Sequence, residues 1–170
     1  METMDTIFQR RSIRKYEERE VSDEIIKELL KAAMAAPSAN NKQPWEFLVI
    51  KNKDQMKEII DVDPEATPLK GASVAIAVCA DTNIYSGKPD IWAQDCAAAT
   101  QNILLAAHDK GLGAVWIGIY PMEQRTKDVQ SVLALPEEII PVSIISIGYP
   151  AEKKEPANRY NESKVHLYTW

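Results

Sequence analysis

The sequence predicts an α+β fold: a single domain in which one β-sheet carries helices on both faces. The chain has 170 residues, of which 45% are hydrophobic, and this is the size and composition of one globular domain. Helical and strand patterns alternate along the chain without the regularity of a nucleotide-binding βαβ array. No GxGxxG follows a predicted strand, which argues against a Rossmann fold. Without a repeat or linker, we treat residues 1–170 as one domain.

The charge balance excludes several classes of function. Twenty basic and 25 acidic residues leave a formal net charge of -5, which gives no general reason to bind nucleic acid or a membrane surface. No apolar run approaches the roughly 20 residues of a membrane helix, and the N-terminus lacks the apolar core of a signal peptide. We therefore expect a cytoplasmic protein whose anion-binding sites come from local clusters of Arg or Lys.

The cysteines and histidines predict neither a disulfide nor a metal site. Cys79 and Cys96 lie in apolar surroundings without CxxC spacing, so we interpret them as reduced core residues. His108 and His166 are too few and too far apart to suggest a zinc site. We expect no bound metal.

Helical patterns are clearest in the first quarter of the chain. A short helix is predicted over 4–9. Ser22 is placed to cap a second helix, with acidic residues in the first turn, where the helix dipole favours negative charge. The apolar residues of this helix recur at helical spacing until Pro37 stops the pattern. They are Ile25, Ile26, Leu29, Leu30 and Ala33.

The middle of the chain contains two predicted strands. Residues 46–51 form the first, and a helix is predicted over 53–60. A proline-containing loop at 61–70 then leads to a continuous apolar run at 74–79, which is typical of a strand covered on both faces. A polar loop is predicted over 81–90.

The second half begins with the longest predicted helix, at 91–110. Gly111 is well placed as its C-terminal cap. Its many alanines would let another helix pack closely. Strands are predicted over 114–120 and 140–148, a helix lies between them at 122–133, and the chain ends in a polar, aromatic tail.

Three pieces of sequence carry candidate chemistry, and the first is the cluster of Arg10, Arg11, Ser12 and Arg14. Guanidinium groups present planar forks that suit phosphate oxygens, and such charge-assisted bonds are about twice as strong as neutral ones. The cluster therefore indicates a phosphate site. A solvated basic patch at the end of a helix is the alternative.

The second piece is the loop PSANNKQPW at 37–45. Its prolines restrict the backbone, and its polar side chains offer donors and acceptors at fixed positions, which suits a ligand with several hydrogen-bonding groups. Alternatively, it is a stiff connection whose polar groups cap the preceding helix while Trp45 packs in the core. Both interpretations can hold for different atoms.

The third piece is GLGAVWIG at 111–118. Gly118 lies in or at the end of a strand, where a missing side chain often marks the close approach of a ligand or another backbone. Packing alone also explains many glycines at strand ends.

In this order the three pieces closely resemble the nitroreductase family of flavoproteins. The resemblance rests on RRSIRKY at 10–16, PSANNKQPW at 37–45, GLGAVWIG at 111–118 and IGYP at 147–150. It covers nearly the whole chain, with the spacing of the shorter members. It implies a three-layer sandwich, in which a mostly antiparallel sheet lies between helices, and an intertwined homodimer.

The resemblance also implies FMN as cofactor, bound in two sites that each draw residues from both subunits. Arg10, Arg11 and Ser12 would hold the phosphate and ribityl region. Arg14 would lie near the pyrimidine side of the ring, where a cation favours the anionic reduced flavin. Backbone groups of Ile117 would approach the N5 and O4 edge.

The other implied contacts come from the loop, the strand end and the tail. Backbone groups of Gly118, like those of Ile117, would approach the N5 and O4 edge of the flavin. Arg159 is the best match for the basic residue that completes the phosphate site, with Lys153 and Lys154 as competitors, and the tail of about 151–170 would pack on the partner. The other subunit would contribute Pro37, Ser38, Ala39 and Asn41, with Gln43 beside them.

This chain departs from many relatives at the residue before the strand-end glycine. Those relatives carry a glutamate that could contact N5, whereas this chain has Ile117, which leaves only main-chain groups for that role. The segments 61–70 and 81–92, with Tyr85 and Trp92, are candidates to line the substrate opening. Packing of Trp92 in the core is the alternative.

The resemblance implies an NAD(P)H oxidoreductase. The flavin would take hydride from NADH or NADPH and pass electrons to nitroaromatics, quinones or a similar acceptor by a ping-pong mechanism, with no dedicated side-chain acid, base or nucleophile. One alternative is an FMN-binding module with little turnover, such as a flavin store or sensor. Another is a different reaction in the same scaffold, such as flavin fragmentation or reductive dehalogenation.

Overall fold

A four-stranded antiparallel sheet forms the centre of the protein. The computed structural model describes residues 2–85 and 90–170. The strands are β1 (Trp45–Ile50), β2 (Val74–Asp81), β3 (Gly113–Gly118) and β4 (Ile139–Gly148), in the order β1-β2-β4-β3. Every neighbouring pair is antiparallel. The predicted α+β class and antiparallel sheet are confirmed, and β1 and β3 form the two edges.

Five α-helices surround the sheet in the described residues, and each coincides with a predicted helix. They are α1 (Thr3–Gln9), α2 (Asp23–Met34), α3 (Lys53–Val62), α4 (Ile91–Asp109) and α5 (Glu123–Val132). Short 3₁₀ helices occur at Ala39–Asn41, Pro64–Gly71, Thr82–Tyr85 and Glu162–Lys164.

The predicted loop at 61–70 is more regular than expected, because most of it forms the 3₁₀ helix Pro64–Gly71. Asp63 starts this helix, since its Oδ1 accepts a hydrogen bond of 3.1 Å from the Glu65 amide. Proline at the first helical position has no amide hydrogen to leave unpaired. Local capping therefore orders a segment whose prolines suggested an irregular loop.

The sheet separates two hydrophobic layers, and β2 contributes to both. Its alternate residues Val74, Ile76, Val78 and Ala80 pack with apolar residues of α2 and α4. Its other residues, Ala75, Ala77 and Cys79, pack with α3, α5 and the 3₁₀ helix between α3 and β2. Because side chains of a strand alternate between faces, the continuous apolar run matches a strand covered on both sides.

The predicted ends of the helices are also found. The Ser22 hydroxyl accepts from the Ile25 amide at the start of α2. Gly111 follows α4 with φ of +74°, a left-handed conformation that glycine adopts without steric penalty. Cys79 and Cys96 are buried free thiols, as predicted, and burial raises the pKa of Cys79 to about 12.

Two glycines on neighbouring strands form a seat for the segment 12–16. Gly113 of β3 pairs with Gly148 of β4. A Cβ atom on Gly113 would lie 2.5 Å from Ile13 Cγ2, and one on Gly148 would lie 3.0 Å from the Tyr16 ring. The segment can therefore approach the sheet only because both positions lack a side chain.

Hydrogen bonds hold the segment in this seat. The Ile13 amide donates to the Ala114 carbonyl at 3.0 Å, so the segment runs beside β3 as a short parallel extension of the sheet. The Tyr16 hydroxyl lies 2.7 Å from the Ile13 carbonyl oxygen and accepts from Ser146 Oγ at 2.9 Å. Burial raises the pKa of Tyr16 to about 12, so this hydroxyl stays protonated at neutral pH.

The seat gives a testable consequence for stability. In Gly113→Ala the new methyl group would stand 2.5 Å from Ile13 Cγ2, so Ile13 has to move. We expect the free energy of unfolding of the apoprotein to fall by about 1–3 kcal/mol, as is typical of overpacking, measured by urea denaturation.

Gly118→Ala is the matched control, because a Cβ atom there meets no described atom within 4 Å. Its unfolding free energy should stay close to that of the unsubstituted protein. Equal destabilisation of the two variants would show that the close contact between Gly113 and Ile13 does not limit stability.

Candidate functional site

The outer edge of β3 is open beyond the point where the segment 12–16 leaves it. Successive residues of a strand point their backbone groups to opposite edges. Because the Ala114 carbonyl faces outward to Ile13, the backbone groups of Trp116 and Gly118 face outward as well. This edge therefore offers main-chain donors and acceptors to a ligand.

A cavity of about 300 Å³ lies at this open edge and brings predicted residues together. Arg14, Ile117 and Gly118 all line it, together with Glu65 and Pro68 from the first 3₁₀ helix after α3. This agrees with the expectation that part of 61–70 lines an opening.

Only one of the two strand residues turns its main-chain groups to this cavity. Those of Gly118 face outward, whereas the N–H and C=O of Ile117 face β4, so the expected main-chain contact of Ile117 with a ligand is wrong. Ile117 is buried in the core, so its side chain is not available to a ligand. Space for a Cβ atom at Gly118 is free of described atoms to 4 Å, so packing within the chain does not account for this glycine. A ligand lying against the strand would account for it.

Positive charge accumulates around Arg10. Burial lowers the pKa of its guanidinium, and the charges of Arg11 and Arg159 lower it further. The fold therefore brings Arg159 of the tail to the N-terminal cluster, although about 150 residues separate them in sequence. Three like charges repel one another, and a phosphate placed among them would relieve this repulsion.

The guanidinium of Arg11 donates to main-chain carbonyls, whereas the sequence predicted that it would bind a phosphate. Its Nε donates to the Glu155 carbonyl at 2.8 Å, its Nη2 to the Phe8 carbonyl at 2.7 Å, and its Nη1 to the Arg10 carbonyl. The side chain thus connects the end of α1 to the tail. Its contact with a phosphate stays a prediction.

The basic residues of the tail divide into bound and exposed groups. Lys154 Nζ donates to the Ser12 carbonyl at 2.6 Å and lies 3.2 Å from Glu152 Oε1. Lys153 lines a separate cavity of about 310 Å³ beside Arg11. Lys154 is therefore already engaged, whereas the charge of Arg159 acts on Arg10; Arg159 as the tail residue of a phosphate site stays a prediction.

The loop after α2 has an unusual backbone. Asn40, Asn41 and Gln43 have φ angles of 53°, 54° and 51°, in the left-handed region that asparagine tolerates better than most residues. Within the loop, the Gln43 amide donates to Ser38 Oγ at 2.9 Å, and Gln43 Nε2 donates to Asn41 Oδ1 at 2.8 Å. Hydrogen bonds of its own polar side chains therefore shape the loop. Pro37, at its start, is exposed.

Two buried residues anchor this loop, a role that the sequence does not indicate for either of them. Asp95 of α4 accepts a 3.0 Å hydrogen bond from the Ala39 amide, and the Tyr85 hydroxyl lies 2.8 Å from the Ala39 carbonyl. That hydroxyl also lies 2.7 Å from Asp95 Oδ2. Burial and the neighbouring Asp95 raise the pKa of Tyr85 to about 12.

The loop and the arginine segment lie at opposite edges of the sheet. The loop precedes β1, whereas Arg14 and Gly118 lie along β3, and two strands separate these edges. With strands spaced about 4.8 Å apart, this separation is roughly 14 Å. Within one chain the two pieces therefore lie at opposite sides of the sheet.

The predicted aromatic lining of the opening is wrong for the two residues named. Tyr85 is 4% exposed and anchors the loop. Trp92 is 6% exposed and packs on Tyr120, with ring centroids 4.7 Å apart, so the alternative of a core residue is confirmed. Residues 86–89 of the same predicted segment lie outside the described residues.

Sequence reasoning also missed an ion pair beside Gly118. Arg125 of α5 donates to the Gly118 carbonyl at 2.9 Å and lies 3.3 Å from the buried carboxylate of Asp63. The Asp-Pro sequence at 63–64 could have indicated a helix cap. Nothing in the polar sequence of α5 distinguishes Arg125 from its charged neighbours.

Comparison with known proteins defines the class to which this fold and site belong. The model of the nitroreductase family matches residues 7–83 and 62–149. A protein of Methanothermobacter thermautotrophicus with the provisional name NADH dehydrogenase/NAD(P)H nitroreductase is 45% identical over 170 residues, which are 100% of this chain and 88% of that protein.

Solved structures agree. The FMN-dependent nitroreductase of Clostridium difficile R20291 superposes with a TM-score of 0.90 at 33% identity, covering 98% of this chain and 99% of that one. The NADPH:FMN oxidoreductase of Vibrio harveyi complexed with NAD⁺ gives 0.87 at 26% identity, covering 99% and 77%. The chain belongs to the nitroreductase family, as its sequence resemblance implied.

The described part of the chain contains no group of three His, Cys, Asp or Glu side chains that could hold a metal ion. Across residues 2–85 and 90–170, we also find no helix with the length and apolar character needed to cross a bilayer.

The anchor of the loop can be tested through stability. Tyr85→Phe removes the hydroxyl that contacts Ala39 and Asp95, so buried acceptors lose a partner. We expect the free energy of unfolding to fall by about 1–3 kcal/mol in urea denaturation, together with a shift of the Ala39 amide signal in NMR spectra.

Tyr149→Phe serves as the control, because its ring centroid lies 3.6 Å from the Arg19 guanidinium and its hydroxyl makes no hydrogen bond to a described residue. It should change neither quantity in the monomeric or assembled protein beyond experimental error. An unchanged Ala39 signal in Tyr85→Phe would show that the hydroxyl does not hold the loop.

Proposed function

We propose that the protein is an FMN-dependent oxidoreductase that takes hydride from NADH or NADPH and reduces nitroaromatics, quinones or a similar small acceptor. The observation that carries the proposal is the cavity at the open edge of β3, which is lined by Arg14 and by Gly118, whose missing side chain leaves room for a ligand. Family membership supports it. Relatives named FMN reductase and NADPH-flavin oxidoreductase support the same chemistry.

The residues present suit the parts of FMN. Arg10 and Arg159 supply positive charge for a phosphate, with the Ser12 hydroxyl nearby in sequence. Arg14 supplies a cation at the cavity, where it would favour negative charge on a reduced ring. Gly118 leaves room for a flat ring against the strand.

Bound FMN would supply the hydride acceptor, and the chain would bind, orient and tune it. In the net reaction NAD(P)H gives up one hydride, the acceptor gains two electrons, and a proton from solvent balances the charge. Donor and acceptor would use the same cavity in turn, which gives ping-pong kinetics. The side chain of Ile117 is buried in the core, so no side-chain acid or base is assigned there.

We also propose a homodimer in which the loop 37–43 of one subunit completes the site of the other. The separation of loop and arginine segment at opposite sheet edges supports this arrangement. Exposed apolar side chains of α1 support it as well, since monomers rarely expose such patches. These are Met4, Ile7 and Phe8, which are 56%, 43% and 58% exposed.

The tail at 151–170 carries the largest exposed aromatic groups. Its residues are exposed almost throughout, and Tyr168 and Trp170 make little contact with the rest of their own chain. Aromatic side chains of this size contribute most to interfaces when they are buried. We propose that the tail packs on the partner subunit.

The central test is reduction of the bound flavin. Purified protein should bind FMN and lose its yellow colour when NADH or NADPH is added anaerobically, and the colour should return with menadione or a nitroaromatic. Bound FMN that neither nicotinamide reduces would favour a flavin-binding module instead. Failure of the dimer to bind FMN at all would contradict the proposal.

Substitution of the two key arginines separates their roles. Arg10→Ala should weaken FMN affinity about tenfold to a hundredfold, because charged hydrogen bonds contribute roughly 1.5–3 kcal/mol. Arg14→Ala should lower the reduction potential of bound FMN, since a cation beside the ring is lost. Lys127→Ala on the exposed face of α5 is the control and should change neither property.

Removal of residues 160–170 tests the role of the tail. The truncated chain should dissociate to monomers at micromolar concentration in sedimentation equilibrium, because its exposed aromatics are lost from the interface. It should also bind FMN more weakly than the full chain. A truncated protein that remains dimeric and retains FMN would contradict the proposed packing.

A further inference from the structure

The side chain of Arg125 connects three groups beside the open edge of β3. It is 18% exposed, and its Nη1 donates to the Gly118 carbonyl at 2.9 Å. Its Nε lies 3.3 Å from Asp63 Oδ1, and its Nη1 lies 3.1 Å from Glu65 Oε2. The guanidinium fork thus spans from the end of α3 to the last residue of β3.

Asp63 explains why the guanidinium is held in this position. Its side chain is 0% exposed, and its Oδ1 also accepts from the Glu65 amide at 3.1 Å. A carboxylate that is buried without a cation is strongly unfavourable, so Asp63 requires Arg125 to remain inside. The cation is therefore fixed by the fold and is not free to turn into solvent.

The hydrogen bond to Gly118 changes what the strand edge offers. Gly118 points both its amide hydrogen and its carbonyl outward, toward the cavity that Arg14 and Glu65 line. Arg125 donates to the carbonyl, and among residues 2–85 and 90–170 no acceptor is found for the outward amide hydrogen. The edge consequently presents a donor and a nearby positive charge, without the negative end of an unpaired carbonyl dipole.

We propose that Arg125 is a positioning residue of the flavin site: it fixes the Gly118 peptide and makes this edge more favourable for a reduced flavin. The inference rests on the proposed function. Removal of Arg125 would take a cation from beside the Gly118 carbonyl and leave the Glu65 carboxylate at the cavity without this partner. Charge effects of this kind are weakly screened when the group is largely buried.

The direction of the effect follows from these charges. Added electrons on a bound flavin are disfavoured both by the loss of a cation and by exposure of the Gly118 carbonyl oxygen. In Arg125→Met we therefore expect the equilibrium ratio of reduced to oxidised FMN, at a fixed electrode potential, to fall about tenfold. For a two-electron couple this corresponds to about 30 mV.

The experiment compares Arg125→Met and Arg125→Lys with Lys127→Met. The control removes a charge of the same sign from α5, where Lys127 pairs with Glu123 at the surface, and should leave the ratio unchanged. Arg125→Lys keeps a charge, but one ammonium lacks the fork that reaches both Asp63 and Gly118. We expect its ratio to lie between those of Arg125→Met and the unsubstituted protein.

A second readout requires no flavin. The Ile119 amide shares a peptide group with the Gly118 carbonyl and donates to Val142, so its NMR signal reports on that carbonyl. In the apoprotein this signal should shift in both Arg125 variants and stay in place in Lys127→Met. Arg125→Lys provides this test even if Arg125→Met does not fold.

The outcomes separate the two proposals. Absence of FMN binding by the unsubstituted protein would contradict the proposed function, while the Ile119 signal would still show whether Arg125 holds Gly118. An Ile119 amide signal that does not shift in the Arg125 variants would show that Arg125 does not position the Gly118 peptide. FMN bound with the same potential in Arg125→Met and Lys127→Met would overturn the influence of Arg125 on the flavin.

Discussion

Gly113 and Gly148 stand side by side on β3 and β4, and the space left by their missing side chains admits Ile13 and Tyr16 to the surface of the sheet. The arginines before and between these two residues take their positions from this contact. A methyl group on either glycine would move the segment, so the cationic side of the site depends on two positions that carry no chemistry themselves. The partly buried hydroxyl of Tyr16 then fixes the segment at its far end.

Buried acids perform a similar task for the other two pieces of the site. Asp95 holds the backbone of the loop after α2, and Asp63 holds Arg125 against the end of β3. In both cases a carboxylate inside the core requires a partner: the Ala39 amide lies in the loop that would complete the site, and Arg125 holds the Gly118 peptide at the cavity. The need to pair these buried carboxylates thereby fixes the positions of the loop and of Arg125. The sheet nevertheless keeps loop and strand end apart, which agrees with a proposed site shared between two chains.

Sequence patterns predicted the strands and helices well, because apolar periodicity reports directly on which faces are buried. The continuous apolar run at 74–79 and the capped helix after Ser22 are examples. Prediction was weaker where a residue has two chemically reasonable partners. Arg11 suits a phosphate, yet its guanidinium binds three main-chain carbonyls. Trp92 suits an aromatic opening, yet it packs in the core, since a large apolar ring gains more from burial.

The three-part resemblance, with its arginine cluster, polar loop and strand-end glycine, was therefore available from the sequence alone, and it was sufficient to indicate the family. The residues of each piece are contiguous in the sequence, so short stretches are enough to recognise the family. The tertiary structure decided which distant residues meet: Arg159 with Arg10, Asp95 and Tyr85 with the loop, and Asp63 and Arg125 with Gly118. Most of these residues are separated by tens of positions in the sequence, and the packing of two hydrophobic layers on one sheet brings them together.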